Sequence, residues 1–358
     1  MFTLYLLTLS FLPDMRFLFL FYQQLHFRQT RQKSKGFTLV ELLISLVVAA
    51  FVMTGLMTVV VEMTKMDQRE TIVDQVQRDM NRAMEYIRDD LQEAVYVYTD
   101  PGLVSAQLAA DPNFPGDTGE GEVPILAFWR IDPIEDSIPN CDGLPADRQP
   151  ECRLLEVRQA AYTLVVYSQK TSDNNRNWSG QSRLIRYELS KYSNISTLTW
   201  RDGYRDPTDP LDPLAQFNAW TATGTPRGSQ AVLADYVQDP SALPLDRAPL
   251  SDAGVPCEGY GLDAFGNSLY SVVPPDAAVN NNNSFFACVR NPSVDNAVAV
   301  AGNTNGNQDV YIFLRGNVQG TTTVNGVNTG IRSFSDRASL PILETQVLVK
   351  GVINKGFR

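Results

Sequence analysis

The sequence predicts an α+β chain in which a long N-terminal helix packs on an antiparallel β-sheet head with long loops. Three observations predict it. From Phe37 to Val61 the chain is apolar except for one charged residue, Glu41. Beyond that run, apolar residues recur at intervals of three and four as far as Ala94, which is helical spacing. After Pro101, short β-branched and aromatic runs alternate with Pro, Gly and Asn clusters, which is strand and turn chemistry.

In chain order, residues 1–36 read as a leader. They hold Arg28, Arg31, Lys33 and Lys35 just ahead of the apolar run, and nothing comparable follows it. The positive-inside rule therefore keeps the leader in the cytoplasm and sends the large C-terminal part across. The apolar stretches Phe2 to Leu12 and Phe17 to Tyr22 are broken by Pro13, Asp14 and Arg16, too short for a second span. Translation from Met15 instead of Met1 would shorten the leader.

Residues 37–61 form the transmembrane half of the helix. At about 1.5 Å per residue this run measures roughly 37 Å, against a hydrocarbon core of about 30 Å. Gly55 is the weak helix former inside it. Residues 62–100 form the amphipathic half. Ile72, Val76, Met80, Ala83, Ile87, Leu91 and Ala94 make one stripe, flanked by Val73, Met84 and Val95, and Asp67, Asp74, Arg78, Arg82 and Asp89 lie opposite. The pattern predicts helix through Tyr98, stopped by Thr99-Asp100-Pro101-Gly102. The stripe is where the head rests.

Residues 103–358 form the β-rich head. Candidate strands are Val123 to Ile131, Tyr162 to Tyr167, Leu184 to Leu189, Val310 to Leu314 and Gln346 to Val352. In Leu184 to Leu189, Ile185, Tyr187 and Leu189 alternate with Arg186 and Glu188, which predicts a sheet with one wet face. The stretches Asp202 to Pro213, Pro240 to Pro256 and Pro274 to Ser284 read as long loops.

Glu41 needs a reason to be where it is. A carboxylate in a spanning helix costs on the order of 2.5–3.5 kcal/mol on insertion scales, so an intramembrane acid marks function and calls for a partner. The segment Lys35-Gly36-Phe37-Thr38-Leu39-Val40-Glu41 resembles the class III signal of type IV prepilins and type II secretion pseudopilins. That resemblance implies cleavage between Gly36 and Phe37 by a prepilin peptidase and methylation of the new Phe37 amino group. It also implies a role for Glu41 in assembly, attracting the cationic N-terminus of a neighbouring subunit. The implied fold is pilin-like. The implied partners are the peptidase, other pilin or pseudopilin subunits, an inner-membrane assembly platform and the lipid bilayer. A secretory signal peptide would cut after a shorter apolar region, and a plain anchor would not need Glu41 beside Gly36-Phe37.

Val123-Pro124-Ile125-Leu126-Ala127-Phe128-Trp129-Arg130-Ile131-Asp132 and Ala161 to Tyr167 are similar to segments of pseudopilins linked to hormogonium polysaccharide secretion. This resemblance implies participation in polysaccharide export and gliding motility, and the large head, more than a repetitive major subunit usually needs, favours a minor, low-copy subunit of the filament or its tip. A filament-tip adhesin that binds a surface or glycan, and a type II secretion pseudopilin, are the alternatives. Trp129, Trp178, Trp200 and Trp220 could line a glycan surface, though aromatics more often build the core.

The sequence holds 30 basic and 40 acidic residues; without the leader's five basic residues and Asp14, the mature chain has 25 and 39, a net charge of −14. Such a body is not expected to bind nucleic acid, which needs clustered Lys and Arg. His26, the one histidine, lies in the leader, so the mature chain is expected to lack His-based nucleophilic catalysis and His-ligated metal. We expect no enzyme and no cofactor.

Cys141, Cys152, Cys257 and Cys288 lack CxxC spacing and read as structural disulfides in an oxidising compartment. Three pairings are possible; Cys141 with Cys152 and Cys257 with Cys288 close the shorter loops. Zinc is the alternative for these cysteines. Calcium is the metal to weigh elsewhere, at Asp202, Asp206, Asp209 and Asp212, or at Asn303, Asn305, Asn307 and Asp309 around Gly306, although Asp and Asn beside Pro and Gly commonly just make turns.

Overall fold

The computed structural model describes residues 36–115, 122–134, 138–171, 178, 180, 182–239, 257–262, 266, 268–275, 284–291, 308–318, 323–324, 327–328 and 340–350. The chain divides into two compact units, residues 1–66 and 67–358.

The described part of the first unit is helical. Helix α1, Leu39–Gln92, begins here and continues without interruption past Gly55. Every described side chain from Gly36 to Asp67 is exposed. Its most apolar stretch has a mean hydropathy of 2.5 and buries nothing within the chain, so these residues need an apolar environment from outside the molecule.

In the second unit α1 supplies the stripe read from the sequence. Val76, Met80, Ala83, Met84, Ile87 and Leu91 are buried, while Asp74, Arg78, Arg82 and Asp89 are not. The helix ends at Gln92, and β1, Ala94–Val97, follows. The expected helix through Tyr98 is thus corrected. Ala-Val-Tyr-Val is a good strand sequence, and pairing with β2 (Tyr96↔Trp129, Val97↔Phe128) outweighs continuing the helix. Over four residues that are mostly buried, helical and strand periods cannot be told apart.

A short helix α2, Pro101–Leu108, comes next, capped by Asp100 through the Gly102 N–H at 2.9 Å with Pro at its start. Strands β2 (Glu122–Pro133), β3 (Ala160–Thr171) and β4 (Ser182–Leu189) form an antiparallel meander, with β7 (Ser229–Val237) on the far side of β4; the order is β1-β2-β3-β4-β7. Pro124, which has no N–H to donate, sits where the β2–β3 register slips. Helix α3 (Gln149–Arg158) lies between β2 and β3, and a small hairpin of β5 (Tyr192–Asn194) and β6 (Thr199–Trp200) follows β4.

The second sheet joins β8 (Tyr270–Val273), β9 (Phe285–Arg290), β10 (Asp309–Leu314) and β13 (Leu343–Leu348) in the order β13-β10-β9-β8, with the hairpin β11 (Thr323–Val324) and β12 (Val327–Asn328) between. The last strand spans Leu343–Leu348 instead of starting at Gln346, because Leu343 to Leu348 pair residue for residue with Leu314 to Asp309. Pro240 to Pro256 and most of Pro274 to Ser284 lie outside the described residues.

The helix stripe is buried between the two sheets. One core joins Val76, Met80, Ile87 and Leu91 to Phe128, Val165 and Tyr167 of the first sheet and to Phe285, Ile312 and Leu314 of the second. The far face of the first sheet carries a separate core around Trp129, Tyr187, Tyr204 and Trp220, roofed by α2 residues Val104 and Leu108. The wet face expected opposite Ile185, Tyr187 and Leu189 is therefore corrected: Arg186 is buried too, and Glu188 is half-buried.

Polar side chains stitch the sheets together. Gln308 accepts from the Val97 N–H and donates to the Val97 carbonyl, both at 3.0 Å, so a side-chain amide stands in for a neighbouring strand at the open edge of β1. Ser284 Oγ donates to Gln169 Oε1 at 3.0 Å, while Gln169 Nε2 donates to Ser182 Oγ at 2.7 Å and the Gln238 carbonyl at 2.8 Å. These bonds satisfy buried polar groups that would otherwise carry a desolvation cost.

Candidate processing and assembly site

The helix start is built by the residues Thr38-Leu39-Val40-Glu41. The Glu41 N–H donates to the Thr38 carbonyl at 3.0 Å and lies 3.4 Å from Thr38 Oγ1, one half of an N-terminal capping box. The Thr-x-x-Glu spacing was readable in the sequence and gives Glu41 a local role in the first turn, where the helix dipole favours an acid. Gly36 and Phe37 precede the helix; Phe37 is 75% exposed, and a side chain at Gly36 would meet nothing within 4 Å. Among the described residues, packing therefore does not require a glycine at position 36.

The remaining polar side chains of the span satisfy themselves. Ser45 donates to the Glu41 carbonyl at 2.7 Å, Thr54 to Ala50 at 2.8 Å and Thr58 to Gly55 at 2.7 Å. Hydroxyls bonded this way tolerate hydrocarbon. Among the described residues of the span, the Glu41 carboxylate alone has no hydrogen-bond partner.

The prokaryotic N-terminal methylation motif matches residues 31–57, which contain Gly36, Phe37 and Glu41. The chain carries a type IV prepilin-like signal. No curated protein and no solved structure matches it. The motif marks a type IV pilin or pseudopilin-like protein, suggests a structural subunit, and implies prepilin peptidase processing and assembly with pilin subunits. With one helix long and apolar enough to cross a bilayer among the described residues, it fits a membrane-anchored, single-pass protein. His26 lies outside the described residues.

The head of this prepilin-like chain contains two charged clusters that the sequence did not reveal. In the first, Asp90 of α1 is buried and accepts from Arg130 Nη1 at 2.6 Å, Arg186 Nε at 2.7 Å and the Tyr167 hydroxyl at 2.6 Å. Arg186 also reaches Glu188 at 2.6 Å, and Arg130 reaches Asp132 at 2.7 Å. Burial raises the Glu188 carboxyl, but Arg186 and Arg130 outweigh it and hold the group below its ordinary range. Burial, then Asp90, push the Tyr167 phenol well above its ordinary value. No basic residue occupies the last turn of α1; the two arginines supply from the sheet the positive charge a helix C-terminus favours.

The second cluster surrounds Lys191. Its Nζ lies 2.9 Å from Asp206 Oδ2 and 3.0 Å from Glu151 Oε1, and the same Glu151 oxygen accepts from Tyr192 at 2.8 Å and Trp200 Nε1 at 2.6 Å. Asp206 Oδ1 accepts from the Thr208 N–H at 2.9 Å and the Thr208 hydroxyl at 2.7 Å. Burial raises the Asp206 carboxyl, but Lys191 and Thr208 bring it below its ordinary value.

These bonds correct the calcium expectation for Asp202, Asp206, Asp209 and Asp212. The four do not converge: Asp206 is engaged with Lys191, Asp209 caps the Leu211 N–H at 2.9 Å, and Asp212 caps Leu214 at 2.9 Å and pairs with Arg205 at 3.2 Å. Among the described residues no group of three or more His, Cys, Asp or Glu is placed to hold a metal. Asp-Pro repetition here makes successive turns. Asn303, Asn305 and Asn307 lie outside the described residues, and Asp309 in β10 accepts from Tyr270 at 2.6 Å.

Cys141 is bonded to Cys152, and Cys257 to Cys288, each pair with Cα atoms 5.5 Å apart. This is one of the three pairings the sequence allowed, and it leaves no thiolate for zinc. Trp129 and Trp220 are core residues, with indole N–H groups bonded to the Tyr98 hydroxyl and the Arg205 carbonyl. Trp200 is committed to Glu151, and Trp178 stacks under Arg183 at 5.8 Å. The tryptophans do not form one surface.

Proposed function

We propose that the chain is a non-enzymatic minor pilin or pseudopilin subunit. Prepilin peptidase cuts between Gly36 and Phe37 on the cytoplasmic side, Phe37 becomes the methylated first residue, and residues 37–61 anchor the subunit in the inner membrane with the head in the periplasm. The assembly platform then draws it into a type IV pilus-like filament or its initiating tip. The observation that carries this reading is the methylation motif with Glu41 inside it, an acid that has no partner within its own span. The methylated amino group of a neighbouring copy's Phe37 is a cation of suitable charge, and pairing the two charges in low dielectric offsets much of the cost of leaving either alone.

The similarity of Val123 to Asp132 and Ala161 to Tyr167 to pseudopilins of hormogonium polysaccharide secretion supports a role in polysaccharide export and gliding motility. Deleting the gene should reduce secreted polysaccharide and surface movement together. Unchanged export would reject that role while leaving the pilin reading intact.

Mass spectrometry of the membrane-purified protein tests processing: the first peptide should begin with methylated Phe37, and an intact leader would overturn the reading. Glu41→Ala should still insert in the membrane yet be depleted from filaments; normal incorporation would remove the proposed pairing.

A further inference from the structure

Lys191 is placed for a covalent reaction. Its side chain is 11% exposed, with Nζ 4.7 Å from the Trp200 ring centroid and 5.3 Å from that of Tyr192, and two carboxylates meet on this one nitrogen. One buried and two half-buried charges beside two aromatic rings carry a desolvation cost. Condensing the amine with one carboxylate removes two of them. We propose that Lys191 and Asp206 form an intramolecular isopeptide bond, with Glu151 as the proton carrier and water as the sole by-product.

The atoms balance without an oxidant, cofactor or second substrate. One proton passes from the ammonium to Asp206 Oδ2, giving a neutral amine and a carboxylic acid. The nitrogen lone pair attacks Cγ, the C–N bond forms, and the carbonyl electron pair moves onto Oδ1. That oxygen already accepts from the Thr208 N–H and hydroxyl, the arrangement that stabilises a developing oxyanion. Glu151 removes a second proton from the nitrogen, 3.0 Å away, and returns it to the Oδ2 hydroxyl. The Cγ–Oδ2 bond breaks, Oδ1 reforms the carbonyl, and water leaves.

A cavity of 20 Å³ lined by Glu151, Arg158, Tyr162, Lys191, Tyr192 and Asp206 adjoins the reacting groups. A single water requires about 10–15 Å³ of such space, so the cavity can accept the product. Well-oriented intramolecular reactions reach effective molarities of about 10⁵–10⁸ M, enough to offset the unfavourable equilibrium of amide formation in water. Glu151 keeps its hydrogen bonds from Tyr192 and Trp200 after the reaction, so the remaining charge stays solvated by the protein.

The test is peptide mapping of the full-length protein, purified from membranes, reduced and digested with trypsin. An amide at Lys191 blocks cleavage there, so the residues 187–201 should appear joined to 206–227 in one species lighter by one water than the sum of the two peptides. Lys191→Met and Asp206→Ala should each abolish that species. Glu151→Gln should leave the linear peptides as the main products. Recovery from the folded wild-type protein of free 187–191 and unmodified 206–227 would overturn the proposal, and an undiminished joined species in Glu151→Gln would overturn the part given to Glu151.

Discussion

The Asp90 carboxylate accepts a hydrogen bond from Arg186 Nε at 2.7 Å although 96 positions separate the two residues in the chain. One helix residue thereby gathers cations from two strands and a phenol from a third. Breaking a buried ion pair by removing one partner typically costs about 3–5 kcal/mol, because the other charge is left stranded. Asp90→Ala in the full chain should lose stability of that order in a denaturant titration. Tyr167→Phe, which deletes one hydrogen bond and strands no charge, should cost about 1–2 kcal/mol.

The pH dependence of head stability follows from the shifted groups. Glu188 titrates below its ordinary value in the folded chain, so its stabilisation is present above the unfolded value, about 4, and is lost as pH falls through the folded one. Tyr167, Tyr187 and Tyr204 are shifted upward, chiefly by burial, so they favour the folded state fully below about pH 10 and lose that contribution as pH rises further. Thermal melts should be flat through neutrality and fall below roughly pH 4 and above roughly pH 10; a maximum at pH 4 would contradict this.

The two disulfides should differ in worth. Cys257 and Cys288 are 31 residues apart and Cys141 and Cys152 are 11 apart, and loop-closure entropy gives about 4 and about 3 kcal/mol respectively. Cys257→Ser with Cys288→Ser should therefore lower the unfolding midpoint more than Cys141→Ser with Cys152→Ser.

Gly316 marks where the second sheet meets the helix. A Cβ there would stand 2.8 Å from Met80 Cγ and 3.2 Å from Val76 Cγ1. Gly316→Val should cost about 1–3 kcal/mol through overpacking. Adding Met80→Ala should recover part of the loss; additive effects would show that the two do not collide.

The long helix and the strands around Phe128, Val165, Tyr187 and Ile312 were legible because each has a sustained period or a clear β-branched run. The strand Phe285–Arg290 was not. Phe-Phe-Ala-Cys-Val-Arg does not alternate, since both faces of its sheet are covered, and the Asn-rich residues before it read as loop. Helix α3 was hidden by its shortness and by Pro150 and Cys152 in its first turn. The motif Gly36 to Glu41 is a local signal and could be read directly. The clusters of Asp90 and Lys191 are not local: Asp90 meets Arg130, Tyr167 and Arg186 only after three strands have paired, and no spacing rule encodes that.

The Gln308 amide bonded to both backbone groups of Val97 bridges 211 residues of sequence. Such a bond cannot form until the edge it recognises exists. Strand β1 presents that edge in a fixed register because it pairs with β2, so the bond ties the placement of the second sheet to the pairing of the first. Because one amide engages both backbone groups of a single residue, it favours one register between the two. The end of the chain thus reports on its beginning: a first strand out of register would leave the buried Gln308 amide without these partners.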